Sequence, residues 1–305
     1  MNTIKFSKRA NLTTEQHNLE LINVEKEIIF RKEFNVYKPC NLNLFVTNVC
    51  HNKCFFCINS KYSNTDIDDC TYYYELERVL KELKDKNIEI SITGGEPTLK
   101  PDRFVKTMQL CKKYNLHCRT VSTVGLKLME DYEGKPLCKH MIDNDFIHNI
   151  NISRMCIDEE ENNRIFQNRN ITNSDIEKLA LFFNVNGGEM RISCNIMECG
   201  VNSMDSMLNF VDYYRDKNVE TIMFRELVGS NNIKLENILK FDESFQYIET
   251  LTGLFYDVNV YSYKDMLVKH YITKQSNNIP KDVMFSMSFR NGILQNNFAG
   301  EKLND

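Results

Sequence analysis

The chain has 305 residues, of which 42% are hydrophobic and 26% charged. This is the composition of a globular protein with a large core, and it excludes fibrous and largely disordered classes. The 38 basic and 42 acidic side chains leave a net charge of −4, which excludes an affinity built mainly on nucleic-acid phosphates. No apolar run approaches the roughly 18 residues that span a bilayer, and the N-terminus lacks the apolar core of a signal peptide. A cytoplasmic protein without a membrane or nucleic-acid partner is expected.

Strand and helix patterns alternate through the first two thirds of the chain. Leu42 to Thr47 reads as a buried strand, and Tyr72 to Lys86 carries Leu76, Val79, Leu80 and Leu83 at helical spacing. Ile88 to Thr93 is a strand stopped by Gly94 and Gly95, and Pro101 opens the next helix. Strands follow at 116–122 and 147–153, with Asp158 to Glu161 as a solvated helix start. Thr172 and Asp175 open a helix through Phe183. A strand at 190–197, a helix at 203–217 and a strand at 221–224 complete the alternation. This α/β pattern implies a parallel sheet with crossover helices. Residues 1–40 and 230–305 flank it, the latter with an expected helix at 241–255 and a hairpin at Asn291-Gly292.

All eleven cysteines lie between Cys40 and Cys199. In a cytosolic setting they are expected as thiols or metal ligands rather than a disulfide framework. Cys50, Cys54 and Cys57 stand in a loop just after the first expected strand, with gaps of three and two residues. Such a loop can wrap three thiolates around one face of an iron–sulfur cubane and leave one iron open. Structural zinc, with His51 or a distant cysteine as fourth ligand, is the competing reading.

This arrangement, with Phe56 before the third cysteine, resembles the signature of the radical S-adenosylmethionine (SAM) enzymes. Gly94, Gly95, Glu96 and Pro97 resemble that family's Gly-Gly-Glu-Pro motif. Glycines let backbone approach a ligand, and a carboxylate suits an ammonium donor. Later strands resemble the GTP 3′,8-cyclase branch: Thr123 in the third-strand turn, Ser153 on the fourth strand, Arg191 on the fifth and the segment Phe224 to Val228 on the sixth.

The resemblance implies a partial (β/α)6 barrel over residues 41–229, an N-terminal extension over 1–40 and a C-terminal extension over 230–305 closing the barrel. It implies one [4Fe–4S] cluster on Cys50, Cys54 and Cys57, whose open iron chelates SAM. It places Phe56 beside the adenine, Glu96 at the SAM amino group, Ser153 at the ribose, Arg191 at the SAM carboxylate and Val228 against the adenine. It further implies an external reductant such as flavodoxin or ferredoxin, and hydrogen abstraction by a 5′-deoxyadenosyl radical.

Departures from the branch are equally specific. Val124 and Arg154 replace its usual residues, and Asn297 stands near a position where the branch carries a cysteine of a second cluster. With no cysteine after Cys199, that second cluster is not expected, which counts against GTP cyclase activity. Arg290, Asn296 and Asn297 are candidates to hold substrate. Cys156, Cys194, Cys199 and Glu226 are candidate catalytic groups near strand ends. A small-molecule or nucleotide-like substrate is expected ahead of a peptide, with a non-catalytic iron–sulfur redox sensor as the contrasting class.

Overall fold

A computed structural model describes residues 24–144, 149–227, 234, 244–252, 256–273, 282–297 and 300–304. In chain order the elements are β1 (Val24–Ile29), β2 (Lys32–Phe45), α1 (Asp69–Leu83), β3 (Ile88–Thr93), a 3-10 turn (Pro97–Leu99), α2 (Pro101–Lys113) and β4 (Cys118–Thr123). A small hairpin, β5 (Asp131–Tyr132) and β6 (Lys135–Pro136), leads to α3 (Leu137–Asp143), β7 (Asn149–Ser153), α4 (Glu159–Phe166) and α5 (Asn173–Val185). Then come β8 (Glu189–Asn195), α6 (Met204–Arg215), β9 (Thr221–Arg225), β10 (Gln246–Thr252), β11 (Tyr256–Tyr263), β12 (Met266–Thr273), β13 (Val283–Arg290) and β14 (Ile293–Asn296).

The six expected strands are β2, β3, β4, β7, β8 and β9, all parallel, inside one 12-stranded sheet. The α/β partial barrel is as expected, and the C-terminal residues widen it. β13 adds a parallel strand beside β2, and β12 adds one beside β9. The hydrogen-bonded path ends at β10 and β14. The described strands after residue 245, β10 to β14, thus extend both flanks of the sheet. The expected boundary at residue 40 falls inside β2, whose first half pairs with β1 and whose second half pairs with β3.

Alternation sets the two faces. Ile88, Ile90 and Ile92 of β3 and Met190, Ile192 and Cys194 of β8 are buried in the core that includes Leu76, Phe104 and Phe183 of the helices. Full burial of each such side chain contributes roughly 1.5–3 kcal/mol. The opposite face, which lines the barrel interior, carries Glu89, Ser91, Thr93, Glu189, Arg191, Ser193 and Asn195. Helix starts follow their caps: Asp158 accepts from Glu161 N, Thr172 from Asp175 N and Ser203 from Ser206 N.

One expectation is overturned. Residues 246–252, inside the expected helix, form the strand β10. A register shift between Tyr247 and Glu249 breaks the period-two pattern there, so the segment loses its strand signature in sequence. The hairpin at Asn291-Gly292 is present, with φ of 47° and 76° and Arg290 paired to Ile293.

Arg154, just past β7, is wholly buried on the helix side. Its guanidinium donates to the carbonyls of Cys156 (2.9 Å), Ile157 (2.9 Å) and Ile171 (3.0 Å), to Tyr214 Oη (2.9 Å) and to Asn173 Oδ1 (3.0 Å). It therefore ties the loop after β7 to the start of α5 and to α6. Arg154→Met takes the donor from one buried carbonyl and two part-buried ones, at roughly 1–3 kcal/mol for each that water cannot reach. A loss of about 3 kcal/mol or more is expected in urea unfolding; a loss under about 1 kcal/mol contradicts this role.

Candidate active site

The cysteine loop leaves the C-terminal end of β2 and is fixed on two sides. Asp66 holds its start, accepting from Thr47 Oγ1 (2.5 Å) and Asn48 N (2.7 Å). Burial works to raise the Asp66 pKa, but those bonds and Lys100 at 3.0 Å hold the carboxyl below its ordinary range. Asn64 Oδ1 accepts from Cys50 N at 3.0 Å. On the other side, residues 166–170 grip the middle of the loop. Lys53 N donates to Phe166 O (3.1 Å), Asn168 Nδ2 to His51 O (2.6 Å) and Asn52 Nδ2 to Asn170 Oδ1 (3.0 Å).

The Gly94–Pro97 turn closes directly onto this loop. Gly95 N donates to Thr47 O at 2.7 Å and Glu96 N to Val49 O at 2.9 Å. A Cβ on Gly94 would stand 2.4 Å from Thr47 O, and one on Gly95 2.1 Å from Val49 O. The glycines thus admit the cysteine loop itself, a nearer neighbour than the ligand approach read from sequence.

Asn59 Nδ2 reaches Gly94 O at 3.2 Å, and Arg290 Nη2 donates to Asn59 Oδ1 at 2.8 Å. The Arg290 guanidinium lies 3.9 Å from the ring centres of both Phe45 and Tyr62. Arg290 is therefore a clamp on the loop. Asn297 lies further back along the hairpin, bonded to Ser286 and Ser288, so the structure does not gather these residues around one ligand.

Burial and neighbouring charges act on Cys50 and Cys54. Burial, and then the charges of Glu96 and Cys57, outweigh an opposing hydrogen bond from the Asn52 backbone and push Cys50 up to about 11. Burial and the charges of Cys57 and Cys50 push Cys54 up to about 12. Three cysteines on one short loop are the donor chemistry of an iron–sulfur group, which binds them as thiolates. Among the described residues no group of three His, Cys, Asp or Glu side chains, these cysteines included, is drawn together as around a single metal ion.

Phe56 packs edge-on against Phe166 (5.9 Å between centroids) and joins a small apolar cluster with Val124, Met155, Met197 and Leu227. Cys54 and Cys156 pack against the same cluster. Thr123 Oγ1 donates to Glu96 Oε1 and accepts from Gly125 N (2.9 Å). The Glu96 carboxylate, expected at the SAM amino group, also takes Thr98 N (3.2 Å) and Thr98 Oγ1 (2.6 Å) on Oε1, and Val124 N (2.8 Å) on Oε2. It is a strut between the ends of β3 and β4, with Oε2 as its open acceptor.

Ser153 ends β7 facing the interior, in register with Ser193. Arg191 faces the interior too, but it pairs with Glu189 toward the N-terminal end of β8, away from the cysteine loop. Burial works to raise the Glu189 pKa, yet the Arg191 bond and charge hold it below its ordinary value. Val228 lies outside the described residues.

Of the candidate catalytic cysteines, Cys194 is corrected: it is buried on the helix face with Sγ 3.7 Å from Met155 O. Cys199 is exposed in the turn after β8, and Cys156 alone packs beside the cysteine loop. Glu226 follows β9 and pairs with Lys234 at 3.3 Å. Sequence reasoning missed Asp66, Asn59 and the 166–170 grip, whose bonds are long-range and carry no local spacing signal.

The Radical SAM superfamily pattern matches residues 44–241, more than half of the chain. The chain belongs to the radical SAM superfamily. Its cofactors are accordingly a [4Fe–4S] cluster and SAM, and it is an enzyme. The GTP 3′,8-cyclase of Staphylococcus haemolyticus is 25% identical over 221 residues, covering 69% of this chain and 61% of that one. The chain thus spans less than two thirds of that curated relative. The structure of Streptococcus suis SuiB bound to its precursor peptide SuiA is similar in fold, with 20% identity, a TM-score of 0.50, and coverage of 65% of this chain and 42% of that one. No described helix is long and apolar enough to cross a membrane.

Two tests follow from the loop geometry. Gly95→Ala forces its Cβ into backbone, so iron bound per chain after reconstitution should fall to less than about half of wild type; full loading would show that the turn need not touch the loop. Only the thiolate is alkylated. In metal-free protein, labelling of Cys50 and Cys54 by iodoacetamide should therefore rise about tenfold per pH unit between about pH 8 and 10; a plateau near pH 9 contradicts the raised values.

Proposed function

We propose that Cys50, Cys54 and Cys57 hold the cluster and that SAM lies between it and the ends of β3, β4 and β7. Phe56 lies beside the adenine, and Glu96 Oε2 and the Ser153 hydroxyl are hydrogen-bond partners for SAM. The substrate in this reading is a small, polar or nucleotide-like molecule. The single observation behind the reading is the contact of the Gly94–Pro97 turn with Thr47 and Val49, at the start of the loop that carries the three cysteines.

When bound and reduced, the cofactors supply an electron to the sulfonium of SAM and a 5′-deoxyadenosyl radical that removes a hydrogen atom from substrate. The chain's own part is to bind and exclude. Asp66 and residues 166–170 hold the loop at Asn48, His51, Asn52 and Lys53. Phe56, Phe166 and Met155 wall the site with apolar groups that have no easily displaced proton. Cys156, raised to about 11 mainly by burial, stays a thiol at neutral pH and is the one strand-end cysteine placed to return a hydrogen atom.

The polar interior supports the small-molecule reading: its strand ends carry Thr93, Ser153, Ser193 and Asn195. The similarity to a GTP cyclase supports a nucleotide-like variant of it, whereas the cysteine-free sequence after Cys199 argues against that enzyme's own reaction. An external one-electron donor, flavodoxin or ferredoxin, completes the scheme.

Anaerobic reconstitution should load roughly four iron and four sulfide per chain. With dithionite and SAM, 5′-deoxyadenosine should then form. Cys54→Ala should lose most of the cluster absorbance and all of that product. Full absorbance in the variant, or a loaded wild type that never cleaves SAM, overturns the proposal.

A further inference from the structure

The outer surface of the cysteine loop has a composition of its own. Phe55 and Ile58, which flank Phe56 and Cys57 in the chain, are 61% and 68% exposed. Phe56 packs inward against the apolar cluster of Val124 and Met155, and its ring meets the Phe55 ring edge-on at 5.2 Å. The loop thus presents one aromatic ring to the site and the next to the outside. Two large apolar side chains left open on an otherwise polar loop mark a contact surface rather than a core.

The charge beside them has one sign. From Val46 to Thr65 the chain carries Lys53 and Lys61 and no carboxylate. The first acid after it, Asp66, is turned back onto Thr47 and Asn48 and is nearly buried. The 162–174 segment, which grips the loop, carries Arg164 and Arg169 and again no carboxylate. Arg164 pairs with Glu161 at 2.7 Å. Lys53, Lys61 and Arg169 are exposed, and among the described residues none of the three has a carboxylate within ion-pair distance. Arg169 is held at the loop: its carbonyl lies 3.2 Å from His51 Nε2, and Asn168 beside it donates to His51 O at 2.6 Å. Three cations free of ion pairs therefore share this surface with two open apolar side chains, on a chain whose net charge is −4.

An apolar centre with a rim of one charge is the anatomy of a transient protein contact. The apolar part excludes water, and the charges steer a partner of opposite sign. We propose that this outer face, Phe55 and Ile58 with Lys53, Lys61 and Arg169, is the docking site of an acidic protein that delivers the electron to the cluster. The location selects that partner. Phe55 directly follows Cys54, so a donor seated here stands one residue from a cluster ligand, on the side of the loop away from Phe56. One electron passes from donor to cluster, the donor is oxidised by one electron, and no bond forms or breaks. The docking site rests on the reading of Cys50, Cys54 and Cys57 as the cluster ligands.

The test uses the full chain, with an acidic flavodoxin as the probe. The amide NMR spectrum of flavodoxin is followed as metal-free protein is added, at about 0.05 M and then at about 0.5 M salt. Phe55→Ser with Ile58→Ser should weaken binding about tenfold or more. Lys61→Glu should weaken it about fivefold at the lower salt and little at the higher. Leu181→Ser with Val185→Ser, which removes an exposed apolar pair on α5, should leave it unchanged. In cluster-loaded protein the loop variants should slow 5′-deoxyadenosine formation driven by reduced flavodoxin. The rate with dithionite, a small reductant that needs no docking surface, should stay at the wild-type value. No binding by wild type, or equal binding by wild type and both loop variants at an unchanged thermal midpoint, overturns the docking site. So does an α5 variant that loses as much affinity as the loop variants. A wild type that sediments as a dimer and dissociates in Phe55→Ser overturns it too, because a second copy would then cover this face. If Phe55→Ser does not fold, Lys61→Glu decides alone through its salt dependence. Failure of wild type to take up iron would overturn the functional reading and leave the binding arm readable, so the two failures are distinct.

Discussion

The site depends on one contact: the Gly94–Pro97 turn lying against the start of the cysteine loop with no side chain between them. Two backbone hydrogen bonds, Gly95 N to Thr47 O and Glu96 N to Val49 O, make it. Because β2 and β3 are parallel neighbours, both segments leave the sheet at the same end. Because Gly94 and Gly95 lack Cβ atoms, they meet at hydrogen-bond distance. The start of the cysteine loop and the Gly94–Pro97 turn are thereby held together, and Glu96 adds the end of β4 through Thr123 and Val124.

The C-terminal segment takes part in that unit. It brings β13 alongside β2 and ends the strand on Arg290, whose guanidinium sits between Phe45 and Tyr62 and reaches Asn59. On the far flank β12 lies along β9 and supplies Tyr271 beneath Arg225. The same stretch of chain therefore supports the cysteine-loop side of the sheet with one strand and the opposite flank with another.

Much of this was legible in sequence, where the signal is local. The cysteine spacing, the glycine pair and the alternation in β3 and β8 lie within a few residues each, and the parallel sheet follows from their order. Arg191 faces inward, yet Glu189 shares its face two residues earlier, a spacing that reads in the sequence as a same-face ion pair. Cys194 was one alternation step from the interior, and its neighbours Ile192 and Met190 marked the face it shares. β10 was misread because its bulge erases the period of two. Asp66, Asn59 and the role of Arg290 were beyond reach, since their partners are distant in the chain and chosen by the fold alone.

The central claim is that three thiols grip the cluster while its fourth corner faces the SAM pocket. Electron paramagnetic resonance of the dithionite-reduced, reconstituted enzyme tests it most directly, recorded with and without saturating SAM. The account predicts a reduced-cluster signal whose g-values shift when SAM is added, because SAM coordinates the open iron. Spectra that coincide in the two samples would contradict it.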